Sequence, residues 1–235
     1  MIVLVDERID RACEGALSER GYEIIKLSAC DVLQEPVSAH PDMLVFVGKG
    51  RLFCHERYYA AAREWLDEIC RKSKLELVLS REEWGEKYPA DVLFNAAPMG
   101  ERIICNIKSV SKHIIEAYGE ENVINTRQGY SKCSVVTVGD NALITADTSI
   151  AKAATAAGID VLLLLDSDTA LDGYSTGFIG GASGDDGEHI FFTGNIEAHP
   201  EWHRIKTFCE AHGKVAVSLS KSPLYDYGTL IFLRT

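Results

Sequence analysis

The chain has 235 residues, 46% hydrophobic and 25% charged, the balance of a globular protein able to bury a sizeable core. Its 24 Lys and Arg stand against 35 Asp and Glu, giving a formal net charge of −11. That charge excludes the basic face of a non-specific nucleic-acid binder and suits a small cationic ligand.

Met1–Val5 is a short apolar run that meets Asp6 and Glu7 at once, so the amino terminus does not read as a secretory signal. A helical pattern follows from Ile9 to Arg20, with Asp10 placed near its start, and then a strand over Tyr22–Lys26. Met43–Val47, the turn Gly48-Lys49-Gly50, Arg51–Cys54, a helix over Tyr58–Arg71 and Leu75–Leu79 form a strand–strand–helix–strand unit. Val92–Asn95, a turn around Pro98–Gly100, Arg102–Cys105, a helix over Val110–Tyr118 and Asn122–Asn125 repeat that order. A third unit is Cys133–Val138, the turn Gly139–Asn141, Ala142–Ala146, a helix from Ile150 to Ala157 with Ser149 at its start, and Asp160–Leu164. A fourth is Gly177–Ala182, the turn Gly184–Gly187, His189–Thr193, a helix from Pro200 to His212, and Lys214–Ser218, with Pro200 expected at the first helical position. The tripeptide Gly-Tyr-Ser precedes both the third and the fourth unit, at 129–131 and 173–175. Gly228–Leu233 is a first strand with nothing after it, and the amino-terminal strand, helix and strand complete its unit.

Five ββαβ units, one split across the termini, predict an α/β ring closed by pairing the last strand with the first, which leaves no open edge. The expected organisation is a single domain over 1–235. Its repeats lie near 40–80, 90–126, 129–165 and 173–220, with 226–235 joined to 1–28. A doubly wound sheet would need roughly one strand per helix, whereas this sequence offers about three. No apolar run reaches the ~18 residues of a membrane span. The seven cysteines (13, 30, 54, 70, 105, 133 and 209) are odd in number and scattered, without a C-x-x-C pair. A reducing cytoplasm is therefore expected, with no disulfide framework, metal or cofactor, and no nucleic-acid or membrane partner.

This repeat grammar resembles the pentein fold, the pseudo-fivefold α/β-propeller. It is shared by guanidino-group-modifying enzymes (arginine deiminase, dimethylarginine hydrolase, amidinotransferases, agmatine deiminase) and by the ribosome anti-association factor. The resemblance implies an axial funnel where a Cys at the start of the last first strand attacks a guanidinium. It also implies a His one repeat earlier to move protons, and carboxylates to grip the cation. At those positions this chain has Tyr227-Gly228-Thr229 and Ser175-Thr176-Gly177. Both hallmark residues are absent from their expected places.

In such a ring the segments leading into the first strands face the funnel. They carry His40, Asp42, Asp91, Tyr130, Ser131, Lys132, Cys133, Tyr174, Ser175, Thr176, Tyr225, Asp226 and Tyr227. The ends of the second strands carry Asp6, Glu7, His55, Glu56, Asn106, Asp147 and Asn195. The expected ligand-binding set is Asp6, Glu7, His55, Glu56, Asn106, Tyr130, Asp147, Tyr174, Ser175, Asn195, Asp226 and Tyr227. Cys133 is the candidate nucleophile, weighed against a buried structural thiol; Lys132 beside it would lower its pKa only if both faced one pocket, whereas adjacent strand residues point to opposite faces. The competing reading is that strand ends are polar because turns and caps are polar. His199 and His203 stand at helical i, i+4 spacing, but no third ligand is evident, so a cap and an outer-face His are expected there. Gly177–Gly184 lacks the Lys-Ser/Thr ending of a phosphate loop. Asp166, Asp168 and Asp172 make an acidic loop able to meet a guanidinium. The function expected is binding of a small guanidine or amino-acid-like cation in an acidic funnel, with or without hydrolase or amidinotransferase-like turnover. The alternative is a non-catalytic scaffold for a protein partner.

Overall fold

The computed structural model describes residues 1–235. Five small sheets form the ring, each with three strands. The first sheet in chain order holds β3 (Val45–Gly48), β4 (Arg51–His55) and β5 (Glu76–Ser80). The next holds β6 (Ala97–Met99), β7 (Arg102–Cys105) and β8 (Val123–Asn125). The third holds β9 (Val136–Thr137), β10 (Ala142–Thr145) and β11 (Asp160–Leu163). The fourth holds β12 (Ser183–Asp185), β13 (His189–Phe192) and β14 (Val215–Ser218). The fifth joins β15 (Ile231–Leu233) to β1 (Ile2–Asp6) and β2 (Glu23–Leu27).

In every sheet the middle strand is antiparallel to the first and parallel to the third. Parallel neighbours need a crossover, and a helix supplies it each time: α1 (Arg11–Glu19), α3 (Glu56–Ser73), α4 (Lys112–Tyr118), α5 (Thr148–Ala156) and α6 (Trp202–Ala211). A single extra turn, α2 (Pro41–Leu44), precedes β3. The middle strands are flanked on both edges and covered by helices, so Ile2–Val5, Leu143–Ile144 and Ile190–Phe192 are sealed from solvent. Each long helix buries one stripe at i, i+4 spacing, such as Cys13 and Leu17, Ala62 and Leu66, or Ile205 and Cys209. Val3 faces Phe232 and Leu4 faces Ile231 where β15 closes the ring on β1. The first strands line the axis: β12 lies against both β9 and β15, and β9 against β6. No helix is long and apolar enough to cross a membrane.

Several first strands begin later than the sequence predicts. The pairing segment of the second unit is Ala97–Met99 rather than 92–95, and that of the fourth is Ser183–Asp185 rather than 177–182. Glycines explain the second case. A Cβ on Gly180 would come within 2.5 Å of the Cys133 and Val135 backbones, and one on Gly181 would overlap the Asp226 carboxylate. The glycine run is therefore a site of backbone contact across the axis. Pro200 likewise falls ahead of α6. A 3-10 turn over Ile196–Ala198 comes first, and the His199 ring accepts the Glu201 N–H at 3.0 Å before the helix begins at Trp202.

Candidate functional site

The segments leading into the first strands converge on the axis and fill it with buried polar groups. Asp42, in α2, accepts hydrogen bonds at one carboxylate oxygen from the Cys133 thiol (3.1 Å) and the Thr229 hydroxyl (2.7 Å). Asn95 holds the neighbouring turn. Its carbonyl oxygen accepts the Lys132 and Cys133 N–H groups at 2.7 and 3.3 Å, and its amide nitrogen donates to Cys133 Sγ at 3.0 Å. Asp226 accepts the Phe178 and Gly228 N–H groups, each at 2.9 Å. The His40 ring lies between two carboxylates, 3.8 Å from Asp226 and 3.9 Å from Asp6. His40, Asp42, Asp226 and Asp6 are all buried.

Crowding acids in a buried centre moves their proton equilibria. Burial, then the charges of Asp42 and Asp6, push Asp226 up to about 7. Burial lowers His40 to about 4, so the ring is neutral at physiological pH. Burial, with Asp42 and Asp226 adding to it, raises the Cys133 thiol well above its ordinary value. Cys133 is thus a sealed, protonated thiol, which is not the exposed electropositive setting of a reactive one. It sits in the turn before β9 rather than in a strand. Lys132 beside it is itself buried and donates to the Val135 carbonyl at 3.2 Å.

Above this cluster, at the same end of the ring, opens a cavity of about 300 Å³. Arg8, Glu35, Pro36, His40, Asp172, Tyr225 and Tyr227 line it. Arg8 is fully engaged. Its guanidinium forks onto both Asp6 oxygens at 2.9 and 2.7 Å and also meets the Glu35 and Pro36 carbonyls. The wall facing it carries exposed Asp172, whose N–H donates to the Tyr225 hydroxyl at 3.3 Å. Tyr225 and Tyr227 pair with ring centroids 4.6 Å apart, offering flat faces beside that carboxylate.

The structure brings some of the sequence-expected residues together and disperses others. Asp6, Asp226 and Cys133 meet on the axis, and Tyr227 lines the cavity above them. The open acidic funnel expected there is instead packed by Asp42, Cys133, Thr229 and the Gly180-Gly181 backbone, and the open space lies to one side. Tyr130 is half-buried, bonds Asp91 and stacks on Phe178 at 5.8 Å. Tyr174 donates to Gln34 at 2.9 Å, and Ser175 is exposed.

The second-strand ends mostly hold local turns. His55 Nδ1 accepts the Arg57 N–H at 3.1 Å and caps α3. Asp147 caps α5 through the Ser149 and Ile150 N–H groups, both at 2.8 Å. Asn195 accepts the Glu197 N–H at 3.2 Å, and Asn106 accepts that of Lys108 at 3.1 Å. Glu7 accepts the Ala29 N–H at 3.0 Å, while Glu56 pairs with Arg81 at 2.6 Å. Local turns and caps thus account for His55, Asn106, Asp147 and Asn195, while Glu7 and Glu56 make longer-range contacts.

The sequence reading did not single out Asn95, Arg8 or Glu35, and met Thr229 only at the position where the family carries its Cys. Asn95 carries a faint signal: it interrupts the apolar stretch Val92–Ala97, where a polar side chain needs buried partners. Nothing local marks Glu35 as Arg8's distant neighbour. No group of three His, Cys, Asp or Glu side chains is disposed to hold a metal ion; His199 lies in the turn ahead of α6, whose N-cap is Glu201 rather than His199, and His203 is exposed on the helix.

Five three-stranded sheets around an axis make this a pentein-fold protein, and solved structures share the fold. An amidinotransferase, SxtG, of saxitoxin biosynthesis from Microseira wollei matches with TM-score 0.54 at 10% identity, covering 94% of this chain and 80% of its own. The agmatine deiminase of C. jejuni matches with TM-score 0.53 at 9% identity, covering 93% and 87%. A dimethylarginine dimethylaminohydrolase solved as its S-methyl-L-thiocitrulline adduct matches with TM-score 0.51 at 9% identity, covering 93% and 92%. The chain belongs to the family of unknown function DUF6873, whose model matches residues 4–231. No curated protein matches it.

Proposed function

We infer that the chain binds a small cation of guanidine or amino-acid type in the cavity bounded by Glu35, Asp172, Tyr225 and Tyr227. The observation that carries the reading is the placement of this 300 Å³ space directly over the axial carboxylates, with Arg8 already committed to Asp6. Asp172 meets the cation, and the Tyr225–Tyr227 pair lies against its flat face. Neighbours named for agmatine and dimethylarginine lend support by analogy of fold. The reading is binding without thiol chemistry, because Cys133 is sealed and protonated.

A thermal-shift series with arginine, agmatine, dimethylarginine and citrulline tests it. At 100 times Kd a ligand adds about 2.7 kcal/mol, roughly 5–10 °C for a chain of this size. Agmatine or arginine is expected to raise Tm, the uncharged ureido group of citrulline to weaken the effect, and Asp172→Asn to abolish it. No shift with any of the four at millimolar concentration would overturn the reading and leave the protein-scaffold alternative.

A further inference from the structure

On the side of the axial cluster away from the cation cavity lies a second site, built around Lys132. This side chain is only 9% exposed, and its Nζ makes a single hydrogen bond, to the Val135 carbonyl at 3.2 Å. Lys132 lines an axial cavity of about 150 Å³ whose walls are largely apolar, among them Phe46, Phe94, Leu230 and Phe232. That cavity shares Pro98, Thr137, Asp185 and Phe232 with a wider space of about 530 Å³ at the hairpin end, away from the cation site. The Lys132 cavity therefore adjoins a wider space at the ring surface. Burial lowers the Lys132 pKa, with Asp42 and Asp185 acting against it. A lysine desolvated in an apolar pocket is the arrangement that makes an amine nucleophilic.

We propose that Lys132 is a carbonyl-binding amine that forms a reversible imine with a short, uncharged aldehyde entering along the axis from the hairpin face. The neutral amine adds to the carbonyl carbon, forming the C–N bond. The carbonyl oxygen then leaves as water, carrying the two protons the nitrogen gives up, so no oxidant or reductant is required. Asp185 is paired with Lys214 at 3.0 Å, and the buried, largely apolar walls disfavour a carboxylate, which selects an aldehyde over a 2-oxo acid. The apolar walls select a short alkyl chain. This site is independent of the cation cavity, and either can fail alone.

The test treats the folded protein with propanal and cyanoborohydride, which fixes an imine as a stable alkyl-lysine, and maps the modified residues by peptide mass spectrometry. Lys132 is expected to be alkylated faster than every exposed lysine. That preference is expected to disappear in urea and with glyoxylate in place of propanal. In Lys132→Met the fast-reacting site is lost while the exposed lysines react as before. Lys132→Arg serves as the second variant should the Met protein fail to fold. Exposed lysines alkylated while Lys132 stays unmodified in the wild-type chain would overturn the proposal, with no recourse to a variant.

Discussion

Replacing Asp226 with Asn removes a buried carboxyl group that the folded chain keeps protonated up to about pH 7, against an ordinary 3.8. An acid whose folded pKa lies above its unfolded value holds an extra proton in the folded state between the two. Stability therefore falls as pH rises from 3.8 to about 7 and is level above. The full displacement corresponds to roughly 4 kcal/mol, of which about 3 kcal/mol falls between pH 5 and pH 8. His40 works in the other direction. Its folded value of about 4 lies below 6.5, so the unfolded chain takes up a proton first and stability is lost as pH falls through that window. Both effects act in the wild type and largely mask each other, but the difference between wild type and Asp226→Asn isolates the carboxyl group. Asn keeps one acceptor for the two backbone N–H groups and faces the other with an NH2, which costs about 1–3 kcal/mol. The variant should thus be the less stable protein at pH 5 and equal or better at pH 8. Urea unfolding midpoints measured across that range read the crossing directly. Two parallel stability curves would refute the argument that burial keeps Asp226 protonated.

Asn95→Ala should lower stability by roughly 3 kcal/mol in urea unfolding, because it strips the Lys132 and Cys133 N–H groups of their buried acceptor. Gly181→Ala places a methyl group on the Asp226 carboxylate and should cost roughly 3 kcal/mol or more, read as a fall in Tm or a failure to fold. All seven cysteines are buried, so Ellman's reagent should find no promptly reacting thiol in the native chain and seven after denaturation. One fast thiol in the native chain, mapped to Cys133, would restore its candidacy as a nucleophile.

The ring was legible because its signal is periodic. Apolar middle strands such as Ile190–Phe192, the amphipathic stripe of α3 and the unfinished strand before Thr235 recur in one order, and local physics alone imposes that order. The first strands were harder to place. β9 pairs through only two residues, and the apolar stretch before β6 reads as a strand although Asn95 bends out of it to hold Cys133. The site was legible only in part. Asp6 and Asp226 lie 220 positions apart in sequence and meet around His40 through ring closure, which no local pattern encodes. Polar strand ends such as His55 and Asp147 looked like funnel residues because a cap and a ligand-binding group draw on the same side chains. Spacing cannot separate the two roles; only the direction of the side chain does.

A crystal structure of the wild-type protein soaked with agmatine locates the cation. A guanidinium held against Asp172 and the Tyr225–Tyr227 pair is expected, with Arg8 still forked onto Asp6. Agmatine bound elsewhere on the ring, or an empty cavity at saturating concentration, would contradict that placement.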